Sequence, residues 1–326
     1  METDKINPNM RDLTILLALK DREVYTQRWI DQNIFPDFYY VIADGSYADH
    51  NQKIFSQVNL ENVNYIRFVP DSTYPIYIQK RLKSLNEIKT RFVLYADNDD
   101  FLIRDGLNQI MDYLDQNREI TLVQGTVGRV VEEKEGNFSK ISNWDHHLSN
   151  GTAYENIKVC LSTYYSLFYC ISETKIQKKI FELFVESGTV SPYLVEEFQT
   201  YFSIAMSRPK VLPNYYYIRL ANSVGSQDAG FSEKHKFDLC LDQNFHHSFH
   251  FLVNQLSSYL PEIDKSLLLE ELRQYQISKI KTRHLRLKEH ILVTLKSKIQ
   301  RVTKSMHMVF KKKVFSGKDM GAIFNS

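Results

Sequence analysis

The sequence predicts an α/β fold: a mainly parallel sheet flanked by helices, followed by a helical C-terminal extension. Short apolar runs alternate with helix-period segments through the first 130 residues or so, and such alternation needs crossover connections between parallel strands. Polar turns stand at the ends of the first, second and fourth apolar runs. From about Asp238 onward no strand-like run recurs.

Leu13 to Leu19 (LTILLAL) is a continuous apolar run, as expected of a strand covered on both faces. The turn Lys20-Asp21-Arg22 follows, then a helical stretch to about Asn33. Phe38 to Ala43 is a second strand, stopped by Asp44-Gly45-Ser46, and Asn64 to Val69 a third, stopped by Pro70-Asp71. Ile78, Leu82, Leu85 and Ile88 share one helical face. Arg91 to Ala96 is a fourth strand that breaks into Asp97-Asn98-Asp99-Asp100. Leu107, Ile110, Met111 and Leu114 mark a helix, and Ile120 to Gln124 a fifth strand. Beyond these the pattern predicts a strand at Ser166 to Ile171, a helix through Val185, a helix from Glu196-Glu197 toward Met206, and a late strand at Tyr215 to Leu220. The expected division is a catalytic domain over 1–235 and an extension over 236–326.

The chain has 326 residues, a hydrophobic content of 43% and a formal net charge of +2, the profile of a globular protein with a sizeable core. Its basic residues crowd into one segment. Lys279 to Lys313 holds twelve Lys or Arg against one acid, Glu289. Leu292, Leu295, Ile299, Val302, Met306 and Val309 form an apolar stripe there, suited to packing, to pairing with a second copy, or to lying on an anionic membrane surface. No nucleic-acid-binding motif accompanies it. Cys160, Cys170 and Cys240 match neither a zinc site nor a disulfide framework and are expected as reduced thiols. No signal-like or membrane-spanning run is present. These features together predict a cytoplasmic protein, with any membrane contact peripheral.

In open sheets of this kind ligands bind beyond the C-terminal ends of the strands. Asp97 and Asp99 leave the fourth strand one residue apart and could converge on Mg²⁺ or Mn²⁺, hard cations that take oxygen ligands and retain positions for diphosphate oxygens. Asp and Asn in such a turn serve equally as turn formers or helix N-caps. Arg219, Asn222 and Ser223, after the late strand, could close over a diphosphate or form a plain turn. His246 and His250 share a helical face without a carboxylate at a matching position, so solvation or packing accounts for them, as for His146 and His147.

The opening strand with its polar turn, Ala43-Asp44-Gly45-Ser46, and Asp97-x-Asp99 stand in the order and spacing found in GT-A-type glycosyltransferases. Over about residues 11 to 220 the chain resembles the family 2-like bacterial group of those enzymes. The resemblance implies a GT-A-like fold and a nucleoside-diphosphate-sugar donor. It implies transfer to an acceptor hydroxyl of a glycan or lipid-linked glycan with inversion, as in polysaccharide biosynthesis. It places Leu19, Asp21 and Arg22 along the nucleotide pocket and Asp44 at the base, although Asp44-Gly45 also suits a tight turn. It sets Asp97 at the ribose or the metal, Asp99 on the metal, and the proton acceptor at Glu196-Glu197. Adjacent helical residues point about 100° apart, so only one acid of that pair can serve, and the resemblance favours Glu197. Lys20-Asp21-Arg22 departs from the Pro- and Asn-rich turn usual at that point. A sugar nucleotidyltransferase would carry a Gly-rich loop after strand one, which Leu19 to Glu23 lacks. A degenerate transferase domain serving as an assembly scaffold would not need the acids.

Overall fold

The computed structural model describes residues 10–58, 60–133, 138–144, 148–149, 151–163, 165–221, 243–276 and 278. The chain divides into two compact units, Met1–Leu269 and Glu270–Ser326. Of the second, the described residues 270–276 and 278 are helical. The basic stripe of 279–313, Cys240, His146 and His147 lie outside the described residues.

The first unit begins β1 (Leu13–Leu19), α1 (Glu23–Asn33), β2 (Tyr39–Asp44), α2 (His50–Phe55), β3 (Val63–Arg67), α3 (Tyr74–Asn86) and β4 (Phe92–Ala96). β5 (Phe101–Leu102), α4 (Arg104–Gln116), β6 (Leu122–Glu132), β7 (Phe138–Trp144) and α5 (Ala153–Ser162) follow. β8 (Ile171–Glu173), α6 (Thr174–Ser187), α7 (Pro192–Met206), β9 (Pro209–Leu220) and α8 (Gln243–Ser257) come next, and residues 265–269 are helical as well. Among the described residues the nine strands form one sheet in the order β3-β2-β1-β4-β8-β6-β9-β5, with β7 paired to β6.

Strands β3, β2, β1 and β4 run parallel, in register Leu19↔Asp44, Asp44↔Arg67 and Leu17↔Ala96. Their C-terminal ends therefore share one edge, and every turn singled out by the sequence opens there. β1 and β4 are buried almost throughout, as sequences without polar alternation require. Beyond β4 the pairing is mixed. β8 is antiparallel to β4 and β6, while β9 is parallel to β6 with register shifts between Gln124 and Val127.

Four strands differ from expectation. The strand read at Ser166 to Ile171 starts later, at Ile171; Leu167 and Cys170 instead close a turn (Cys170 N to Leu167 O, 3.1 Å). β6 and β9 are longer than their apolar cores, because each pairs along its polar half with the other. The two-residue β5 has no periodicity to reveal it; it exists through its antiparallel register with Ile218 and Tyr217.

Helix α4 crosses β9 so closely that a Cβ built on Gly106 would lie 1.8 Å from the carbonyl oxygen of Tyr215. Backbone cannot yield there as a side chain would. Gly106→Ala is expected to cost about 3 kcal/mol or more, measured by urea unfolding; an unchanged midpoint would show that α4 and β9 separate more easily than this packing implies.

Candidate active site

The acid cluster forms where β4 ends. Asp100 N donates to Asp97 O (3.3 Å) to close the turn, and Asn98 Nδ2 ties it to α1 through Arg22 O and Thr26 Oγ1, both at 3.1 Å. One ligand oxygen from each of Asp97, Asp99 and Asp100 lies within 4.8 Å of the others. Asp99 and Asp100 are buried and Asp97 partly so. Burial, then the charges of Asp99 and Asp97, hold the Asp100 carboxyl well above the usual carboxylate range.

Cations and phenols offset this repulsion. Arg22 Nη2 lies 2.7 Å from Asp99 Oδ2. Tyr169 OH donates to Asp97 Oδ2 at 2.7 Å. Asp100 accepts from Tyr217 OH and Leu220 N, both at 2.9 Å, with Arg219 Nε 3.9 Å away. Arg219 also stacks over Tyr169, its guanidinium carbon 5.0 Å from the ring centre. Three converging carboxyl oxygens at the end of β4 fit a hard divalent cation.

The turn after β1 is built with unusual backbone. Asp21 and Arg22 both take left-handed conformations, φ 54° and 62°, which residues other than glycine adopt at a cost. Neighbouring turns hold them there. Asp21 N donates to Ser46 Oγ (2.6 Å), Tyr47 N to Asp21 Oδ1 (3.0 Å) and Asn51 Nδ2 to Asp21 O (3.1 Å). Gly45 N donates to Leu19 O at 3.0 Å.

Asp44 ends β2 beside this turn and is fully buried. Its Oδ1 accepts from Ser46 N (2.8 Å) and Ser46 Oγ (2.5 Å), and its Oδ2 from Tyr65 OH (2.5 Å) and Arg67 Nη1 (2.6 Å). A carboxylate offers about four acceptor positions, so a nucleobase bond would have to replace one of these. In this geometry Asp44 is bound to Arg67, whose Nη2 also reaches Ser46 O and Ala48 O at 2.6 and 2.9 Å.

Helix α3 brings residues that sequence reading missed. Lys80 is buried, pairs with Asp71, and donates to Leu19 O at 2.9 Å. Asp71 in turn fills the space beside Gly45, where a Cβ would lie 2.5 Å from its carboxyl carbon, and its backbone N donates to Gly45 O at 2.8 Å. Arg81, also buried, donates to Tyr77 OH at 2.8 Å and lies over the rings of Tyr77, Tyr95 and Phe168. The sequence offered little signal for either, since Lys80 and Arg81 read as the polar side of the helix carrying Ile78 and Leu85.

Helix α7 splits the acid pair as its geometry requires: Glu197 is buried and Glu196 exposed. The Glu196 charge is felt by Tyr74, which stacks on Tyr77 with ring centres 5.5 Å apart. Asn222 and Ser223 lie outside the described residues. His246 and His247 are exposed, and among the described residues the acid triplet is the one group placed to hold a metal. A cavity of about 600 Å³ opens at the opposite edge of the sheet, lined by Arg11, Thr14, Tyr39, Asn62 and Lys89 among others, away from all of these residues.

Burial lowers the Lys80 ammonium to about 8, against the pull of Asp71. An unfolded lysine keeps its proton to about 10.4. Between those values the unfolded state binds more protons, so stability from this group rises with pH. Urea unfolding from pH 8 to 10 is expected to show the wild type gaining stability relative to a Lys80→Met/Asp71→Asn variant; a flat or falling difference contradicts the assignment.

No family model matches the chain, and no curated protein sequence does. Solved structures do. Residues 1–349 of TarS from S. aureus align with a TM-score of 0.54 and 16% identity, over 83% of this chain and 73% of that one. The same region in complex with UDP-GlcNAc aligns at 0.57 and 14%, over 85% and 75%, and in complex with UDP at 0.52 and 14%, over 81% and 70%. Strand order, parallel N-terminal half and flanking helices together make this chain a GT-A-like α/β fold, the architecture it shares with those TarS structures.

Proposed function

We propose that this protein is a nucleotide-sugar-dependent glycosyltransferase that moves a sugar from a nucleoside diphosphate to an acceptor hydroxyl. The observation that carries the reading is the convergence of Asp97, Asp99 and Asp100 at the carboxyl edge of the parallel strands, in a fold shared with a protein crystallised with UDP-GlcNAc and with UDP. A uridine diphosphate sugar is therefore the first donor to test.

Asp97 and Asp99 would hold Mg²⁺ or Mn²⁺, with Asp100 fixed behind them by Tyr217 and Leu220 N. A bound divalent cation would neutralise charge on the departing diphosphate. The chain's own residues supply the rest. Leu19, Asp21 and Arg22 form the wall of the pocket, and Lys80 grips the carbonyl of Leu19 from behind. Asp44 orients Arg67 at the base end. Arg219, half-buried beside Asp100, can donate to a diphosphate oxygen, with Asn222 and Ser223 next to it in sequence. Glu197 takes the proton from the acceptor hydroxyl as the anomeric carbon is attacked from the opposite face, which gives inversion. Glu196, the exposed neighbour, is the alternative base.

The acceptor proposed is a glycan or lipid-linked glycan. The basic stripe within 279–313 supports peripheral contact with an anionic cytoplasmic membrane face or pairing with a second copy. Among the described residues no helix is long and apolar enough to cross a membrane.

A thermal-shift panel of UDP-, GDP-, dTDP- and CDP-sugars with and without Mn²⁺ tests the donor. Ligand at 100 times its Kd stabilises the fold by about 2.7 kcal/mol, so the true donor stands out, with UDP-sugars expected; no shift with any nucleotide contradicts the reading. Asp99→Asn is expected to lower metal-dependent hydrolysis of the donor on the order of 100-fold, and no loss would remove the metal from the account. Glu197→Gln should cut transfer by about 100-fold or more while donor binding persists. If Glu196→Gln does this instead, Glu196 is the base.

A further inference from the structure

We infer that the Arg22 guanidinium is a resident counter-cation of the acid cluster that yields its place to the divalent metal and then serves the diphosphate. The inference rests on the metal and diphosphate reading above and adds an exchange that reading does not contain.

Three observations meet at this residue. The first is position. Arg22 Nη2 lies 2.7 Å from Asp99 Oδ2, on a carboxylate proposed as a metal ligand. A guanidinium and a metal ion cannot both take that oxygen at close range, so metal binding through Asp99 requires Arg22 to move. The second is incomplete bonding. Arg22 Nε is enclosed without a hydrogen bond, and Nη2 meets Asp99 as an ion pair without a well-directed hydrogen bond. An enclosed donor such as Nε left in that state is costly. The third is the backbone. Arg22 sits at φ 62° directly after Asp21 at φ 54°, two successive left-handed residues without a glycine.

The strain is held from both sides of Arg22. Asp21 is fixed by Ser46, Tyr47 and Asn51, while the carbonyl of Arg22 accepts from Asn98 Nδ2 (3.1 Å) and Tyr25 N (3.0 Å). The main chain is therefore clamped and the long side chain is the part that can swing. Its guanidinium carbon lies 4.9 Å from the centre of the Tyr25 ring, which gives it a face to slide along. Released from Asp99, the guanidinium remains at the turn that lines the nucleotide pocket. A diphosphate there offers it the planar oxygen pair for which arginine is suited. The site thus stays near charge balance at each stage: guanidinium on carboxylate without ligands, and metal on carboxylate with guanidinium on diphosphate when the donor is bound.

Competition gives the test. Binding of Mn²⁺ alone to the full-length chain is followed by EPR, then binding of UDP at saturating Mn²⁺ by calorimetry, for wild type, Arg22→Asn and Asp99→Asn. Asparagine tolerates the left-handed backbone, so Arg22→Asn removes the cation without adding strain, and its urea midpoint verifies folding. Exchange predicts that Arg22→Asn binds Mn²⁺ on the order of tenfold more tightly and UDP on the order of tenfold more weakly. Arg22→Lys, which keeps the charge, should fall between the two. If Mn²⁺ affinity in Arg22→Asn is unchanged or weaker while Asp99→Asn abolishes it, the exchange is overturned and the metal site stands. If Asp99→Asn binds Mn²⁺ as the wild type does, the metal reading itself fails.

Discussion

The structure turns on the crowding of three carboxylates at the end of one buried strand. Asp97, Asp99 and Asp100 bring ligand oxygens within 4.8 Å of one another in a region where two of them are enclosed. Like charges so placed repel strongly at low dielectric. The surrounding elements supply the compensation: Arg22 from the turn after β1, Tyr169 from the segment before β8, and Tyr217 and Arg219 from β9. Residues separated by up to about 200 positions meet there, and the sheet order brings them together. β5 exists because the chain leaving the acids is caught at once by β9.

A second buried charge network stands behind the first. Lys80 and Asp71 connect α3 to the turns after β1 and β2, so these turns are braced by an ion pair and not by apolar packing alone. Such a pair is weak evidence for net stability, because both ions lose hydration. Its value lies in direction: the ammonium fixes the Leu19 carbonyl, and Asp71 leaves room only for glycine at position 45. Asp44 likewise uses its acceptors on Ser46, Tyr65 and Arg67 and so fixes the turn after β2.

Much of this was legible in the sequence. LTILLAL and FVLYA announce themselves as buried strands because they have no polar face to present, and the acids after Ala96 mark the functional edge because an apolar strand cannot continue through them. The Glu196-Glu197 pair was placed on a helix and is divided by it, as a 100° step demands. What could not be read depends on partners distant in sequence. β5 and the polar halves of β6 and β9 are strands only by pairing. Lys80 and Arg81 look like the solvated face of an amphipathic helix, and only the sheet beneath them shows that they are buried. Asp100 reads as a turn residue, yet burial first, then the charges of Asp99 and Asp97, hold its carboxyl well above the usual range.

Anomalous diffraction at the manganese edge, from crystals of the protein grown with Mn²⁺ and UDP, tests the central geometry most directly. The account predicts one anomalous peak beside the carboxylates of Asp97 and Asp99, with UDP density next to it. A peak elsewhere on the molecule, or density for UDP with no metal at the acids, would contradict it.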